Sequence, residues 1–127
     1  MWGAFSLSNI LGISLTAAPV LLISRPMDLE QTAARLEALG SPTRLEIYRL
    51  LVRAGADGLP VGEIQRRTDV PRSTLSHHLH RLIGVGLVTQ ERQATTLICR
   101  ANYKVMNETL GFLSAECCAD AKGRAAA

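Results

Sequence analysis

The sequence predicts a mainly α-helical domain that carries one β-hairpin. Three observations lead there. The chain has 127 residues, 47% of them hydrophobic, which is one domain's length with enough apolar side chain for a core. Five segments space their apolar residues at helical intervals, between capping and breaking residue types. Two short runs, the second rich in β-branched residues, stand together before the last of those segments. The length excludes a barrel enzyme or a two-domain dehydrogenase. Aromatic residues are only 4%, which argues against a small sandwich built on large rings. A net charge of +3 permits an anionic partner without demanding one.

From Asp28 the first helix places Leu29, Ala33 and Leu36 at i, i+4 and i+7, and Gly40 stops it. Ser41 caps the second helix and Pro42 opens it. Its apolar stripe is Leu45, Tyr48, Leu51 and Val52, and residues 55–60 read as a loop. Val61 and Ile64 anchor a short third helix that ends near Thr68, and Asp69-Val70 makes a tight turn. Pro71 opens a fourth helix with Leu75, Leu79, Leu82 and Ile83 on one face, ended by Gly84 and Gly86. Strands follow at 87–92 and 95–101, joined by Gln93-Ala94. Asn102 caps a last helix whose stripe runs through Met106, Leu110, Leu113 and Cys117. This order is that of a winged helix-turn-helix domain. The third helix, tight turn and fourth helix make its DNA-reading unit, and the hairpin is its wing.

Without its apolar positions, the fourth helix presents Arg72, Ser73, Thr74, Ser76, His77, His78, His80 and Arg81. No Asp or Glu stands between Pro71 and Gln90, so phosphates can approach without repulsion. Short hydroxyls at a helix N-terminus suit phosphates and base edges, and the positive helix end adds to this. Arg72 has the fork that guanine accepts. The expected contacts to double-stranded DNA are therefore Arg72, Ser73, Thr74, Ser76, His77 and Arg81. Arg92, near the hairpin tip, would reach a phosphate beside the minor groove. The plainer readings are a solvated polar face and an ordinary exposed arginine. A metal shared by His77 and His80 lacks a nearby carboxylate or thiol to complete its site.

Residues 1–24 carry no charged side chain. Gly12, Ser14, Thr16 and Pro19 interrupt the apolar run, which falls short of the roughly 20 apolar residues of a membrane helix. A signal peptide would want a basic start, which is missing. The texture changes at Met27-Asp28-Leu29-Glu30. The expectation is an apolar extension at 1–26 outside the functional fold, a natural start at Met27, a DNA-binding and dimerisation domain at 27–120, and a flexible tail at 121–127. A membrane anchor and a cleaved signal are the alternatives, separated by fractionation.

The three cysteines are Cys99, Cys117 and Cys118. An odd count is a poor disulfide framework, and a bridge between neighbours is strained. Reduced thiols in a reducing cytoplasm are the better reading. Cys117 continues an apolar stripe and Cys99 shares a strand face with Leu97, so packing alone accounts for both. Cys118 is off the stripe.

These residues also carry a family resemblance. The run Leu39-Gly40-Ser41-Pro42-Thr43-Arg44-Leu45-Glu46-Ile47 resembles the start of the second helix in ArsR/SmtB-type winged-helix repressors. Val70-Pro71-Arg72-Ser73-Thr74-Leu75-Ser76-His77-His78-Leu79, followed by Leu82 and Gly86-Leu87-Val88, resembles their recognition helix and first wing strand. The resemblance implies a homodimer joined through the first and last helices. It also implies an operon repressor that lets go of DNA when an inducer, often a metal or metalloid ion, binds. Two departures matter. The wing turn has Gln93-Ala94-Thr95 where many relatives have glycine. The family's cysteine pair in the third helix and its Asp and His ligands along the last helix have no counterpart, since residues 61–68 hold no Cys and 102–118 no His. Glu116-Cys117-Cys118, by contrast, is similar to the arsenic-responsive members with vicinal cysteines near the C-terminus.

Trivalent arsenic is soft and favours thiolates. Arsenite takes three sulfurs and methylarsenite takes two, so Cys117, Cys118 and Cys99 are the candidate ligands, with no resident cofactor required. A straight last helix would carry Cys117 roughly 22 Å along its axis from Asn102, at ~1.5 Å per residue, out of reach of Cys99. A three-sulfur site would then need the partner subunit or a helix end that folds back. Adjacent helical residues diverge by ~100°, so even the vicinal pair calls for fraying. The competing functions are a thiol-based redox or persulfide-sensing repressor on the same fold, a thiol reductase, and a dimerisation module without DNA binding. Against the reductase stand the missing Cys-x-x-Cys, nucleotide loop and carboxylate pair.

Overall fold

Three of the helices begin on a side chain that accepts from their own first turn. Asp28 Oδ1 accepts from the Gln31 amide at 2.8 Å, Ser41 Oγ from Arg44 at 3.4 Å, and Asn102 Oδ1 from Val105 at 3.3 Å. They start α1 (Leu29–Leu39), α2 (Pro42–Ala54) and α5 (Tyr103–Ser114). Between α2 and α5 lie a 3-10 turn (Gly55–Asp57), β1 (Leu59–Pro60), α3 (Val61–Thr68), α4 (Arg72–Gly84), β2 (Val88–Gln93) and β3 (Thr96–Ala101). The structure is a computed structural model that describes residues 28–121. The expected extension at 1–26, the start at Met27 and the tail beyond residue 121 lie outside the described residues.

The sheet is antiparallel in the order β1-β3-β2. Val88 pairs with Ala101 and Gln93 with Thr96, so Ala94-Thr95 form the wing turn, one residue later than expected. Ala94 sits there at φ +58°, where glycine is comfortable and alanine is not. Residues 55–60 are more than the expected loop. In the structure Leu59 pairs with Cys99 and Pro60 with Ile98, giving the wing a third, two-residue strand. So short a strand has no period-2 pattern to read.

The core gathers Ile47, Tyr48 and Leu51 of α2, Ile64 of α3, Leu75, Leu79 and Leu82 of α4, and Leu87, Val88 and Cys99. Leu51, Leu75 and Leu82 are fully buried, and truncating such a leucine to alanine costs about 2–5 kcal/mol. The stripe of α2 is rotated from the expected one, with Ile47 inside and Leu45 43% exposed. In α1 the buried residues are Thr32 and Ala38, while the expected stripe residue Leu29 is 71% exposed. Leu110 and Leu113 of α5 are likewise more than half exposed, and Thr109 is buried instead. Leu29, Leu36, Leu110 and Leu113 point away from this chain's own core, while Ala38 of α1 and Tyr103, Val105 and Met106 of α5 pack toward it.

Cross-links hold α1 against α4 and α5 against α2. Arg35 Nε donates to the Val85 carbonyl at 2.9 Å, and Tyr103 Oη donates to the Val52 carbonyl at 3.0 Å.

Candidate nucleic-acid interface and thiol pair

α3 ends on Asp69 in the left-handed region at φ +55°, with its amide donating to the Gln65 carbonyl at 2.8 Å. The chain turns there and enters α4 through Pro71, which holds extended backbone and supplies no capping side chain. The first-turn amides of α4 therefore have no side-chain acceptor. Leu75, Leu79 and Leu82 bury one face. Arg72, Ser73, Thr74, Ser76 and His77 are all exposed, within the first turn and a half. Five of the expected DNA contacts thus share one surface at the positive end of the helix.

Arg81 is placed differently. It lies in the last turn of α4 and grips the Glu37 carboxylate of α1 at 2.8 and 2.9 Å, so it ties two helices together. His78 turns inward and is half-buried, with an unpartnered Nδ1. Burial, then the charge of Arg44, then His77 push its pKa below the ordinary 6.5. Arg92 is exposed on β2 opposite Leu97, just before the turn. Its neighbour Glu91 pairs with Arg100 at 2.6 Å.

Arg66 and Arg67, in the last turn of α3, are two further basic residues outside the expected set. Both are exposed, and both are bonded to Glu63. Their signal was present as two basic residues at a helix end beside the turn.

The thiol pair departs most from expectation. α5 stops at Ser114, three residues before Cys117, so Cys117 does not extend the helical stripe. Ser114 Oγ donates to the Leu110 and Gly111 carbonyls at 3.3 Å each, in competition with the helix. Consecutive turns follow, with Glu116 and Cys118 both at φ +61°. A left-handed non-glycine residue costs about 1–2 kcal/mol. In this unwound segment Cys117 Sγ and Cys118 Sγ lie 3.7 Å apart, and both residues are exposed. Cys99 is fully buried in β3, where Gln90 Nε2 donates to its sulfur at 3.4 Å. Burial pushes the Cys99 thiol pKa up, and the Gln90 contact only partly offsets this. Among the described residues no three His, Cys, Asp or Glu side chains are grouped to hold a metal. One chain therefore does not gather Cys99 with the vicinal pair, nor a third ligand with His77 and His80.

Residues 39–91 match the model of a helix-turn-helix domain family. The HTH-type transcriptional regulator YgaV of Escherichia coli (strain K12) is 35% identical over 86 residues, which is 68% of this chain and 81% of that protein. An ArsR-like transcriptional regulator from Rhodococcus sp. RHA1 superposes with a TM-score of 0.63 at 26% identity, covering 76% of this chain and 88% of that one. The chain belongs to the ArsR family of winged helix-turn-helix regulators. It is a transcriptional regulator with a DNA-binding helix-turn-helix. A similar domain of Mb0332 from Mycobacterium bovis, described as homodimeric and as a possible ArsR-family regulator, is 28% identical with a TM-score of 0.57. That match covers 68% of the regulator and 81% of the Mycobacterium domain. Among the regulator's described residues no helix is long and apolar enough to cross a membrane.

Proposed function

We propose that the regulator is a homodimeric repressor that releases double-stranded operator DNA when trivalent arsenic binds Cys117 and Cys118. The observation that carries this is the exposed pair of sulfurs 3.7 Å apart on unwound backbone. Bonds of about 2.3 Å at a tetrahedral angle, as zinc makes to cysteine, place two sulfurs on one ion about 3.8 Å apart. The pair needs little movement to meet that spacing. Methylarsenite has two exchangeable hydroxyls. Each cysteine proton leaves with one hydroxyl as water, and two sulfur–arsenic bonds form. Arsenite would keep its third hydroxyl, or exchange it for a partner's thiol with loss of a further water.

The dimer reading rests on Leu29, Leu36, Leu110 and Leu113. They are exposed on α1 and α5, where a second copy would cover them. A dimer sets two α4 helices at half-sites about one DNA turn apart. The thiols follow directly on α5, so a ligand there would act on the helix that joins the subunits. Operator DNA must then weaken arsenic binding by the same factor.

Thiol titration of the reduced protein tests the ligand set. One bound methylarsenite should remove two reactive thiols per chain, with Cys99 contributing none. The variant with Cys117→Ser and Cys118→Ser should bind no arsenical. Loss of a single thiol, or undiminished uptake by that variant, would contradict the assignment.

The same sulfur spacing favours a second reading, a redox switch. A peroxide would oxidise the pair to a disulfide, taking both thiol protons and two electrons and leaving as water. It predicts release of DNA by peroxide with no arsenical present.

A further inference from the structure

Glu63, Arg66 and Arg67 form one ionic cluster on the outer side of α3. Val61 and Ile64 point into the core, which turns these three outward. Arg66 donates to both oxygens of the Glu63 carboxylate, the Oε1 contact at 2.6 Å. Arg67 Nε donates to Oε2 at 2.6 Å. The Arg66 and then the Arg67 hydrogen bonds hold the Glu63 carboxyl down to about 2. One carboxylate between two guanidiniums leaves a net positive charge and several unused N–H donors. The Arg66 side chain is 71% exposed and that of Arg67 48%.

The position of the cluster matters more than its charge. Glu63 stands in the first turn of α3 and both arginines in its last, where only Thr68 and the turn at 69–71 separate Arg67 from Arg72. The first helix of a helix-turn-helix crosses the DNA backbone while the second enters the groove. The end of α3 therefore runs beside the strand whose groove α4 occupies. Exposed Asp69 is the acidic residue in the intervening turn. A carboxylate and a phosphate offer arginine the same two-oxygen geometry. An exposed ion pair is also cheap to exchange.

We propose that Arg66 and Arg67 are a phosphate-backbone contact of the DNA interface, and that Glu63 is its internal competitor. In the free protein Glu63 holds the two guanidiniums, and on the duplex it yields them to phosphate. The inference rests on the DNA-binding role and is independent of any inducer. A purely structural role would leave a different mark. Glu63 would then only steady α3 through its i+3 and i+4 partners, and salt dependence would not move.

The test is anisotropy of a labelled promoter duplex and an unrelated duplex against the full chain from 50 to 200 mM salt. Each phosphate contact contributes about 0.9 to the slope of log affinity against log salt. Arg66→Gln with Arg67→Gln should flatten the slope by about 1.8, on both duplexes alike. Across that salt range the affinity loss then shrinks about tenfold. Glu63→Gln should bind more tightly and with a steeper slope. Added to the double arginine variant, it should gain nothing. Circular dichroism melts establish that each variant is folded. An unchanged slope in the double arginine variant would overturn the contact. Equal tightening by Glu63→Gln with and without the arginines would overturn the competition. Should the double arginine variant not fold, an unchanged slope in Glu63→Gln alone would overturn the proposal.

Discussion

Gly58 sits where no side chain fits. A β-carbon there would lie 2.4 Å from the Cys99 carbonyl oxygen and 2.6 Å from Arg100 Cγ, and φ is +69°. Nothing in the neighbouring residues announces this, because the constraint comes from β3 some 40 positions along the chain. Gly58→Ala should lose about 3 kcal/mol in urea unfolding. A loss below about 0.5 kcal/mol would show that the approach of β1 to β3 is not tight. His78 makes a pH prediction. Its pKa is depressed in the folded chain, so the unfolded chain binds more protons just below the ordinary value of 6.5. The stability it contributes is complete above pH 6.5 and is lost as pH falls through the folded value. The melting temperature should therefore drop between pH 7.5 and pH 5, and His78→Gln should flatten that drop. Equal drops in both proteins would assign the effect to other groups.

At the scale of elements, legibility followed how local each cause was. α4 was readable because its leucine spacing, its turn and its polar face all lie within one short stretch. The Ser41 and Asn102 caps were readable for the same reason. β1 was not, since two residues become a strand only because β3 lies beside them. The end of α5 was not, since Met106, Leu110, Leu113 and Cys117 keep a helical spacing past the point where the helix stops. Competition from Ser114 and the turns at 115–120 decides that boundary. At the candidate site, the exposed polar surface at the start of α4 (residues 72–74, 76 and 77) was legible. Arg81 was not, because its partner Glu37 is 44 residues away. The closeness of the two sulfurs was hidden too, since it depends on left-handed backbone at Glu116 and Cys118.

At the scale of the whole molecule, the described residues present a polar face at the start of α4 and an apolar face on α1 and α5. If the apolar face joins two copies, Leu110→Glu with Leu113→Glu should give monomers by sedimentation. Those monomers should lose at least tenfold in operator affinity, because one half-site contact remains of two. An unshifted mass would contradict the dimer surface. The thiol pair sits just beyond α5, so occupancy there and occupancy of DNA are coupled in this account. Anisotropy of labelled promoter DNA with the reduced protein, titrated with methylarsenite, arsenite, antimonite and zinc, measures that coupling directly. The account predicts release by a trivalent arsenical, and no release when Cys117 and Cys118 are both serine. Tight DNA binding that no arsenical disturbs would contradict it and leave peroxide as the signal to test.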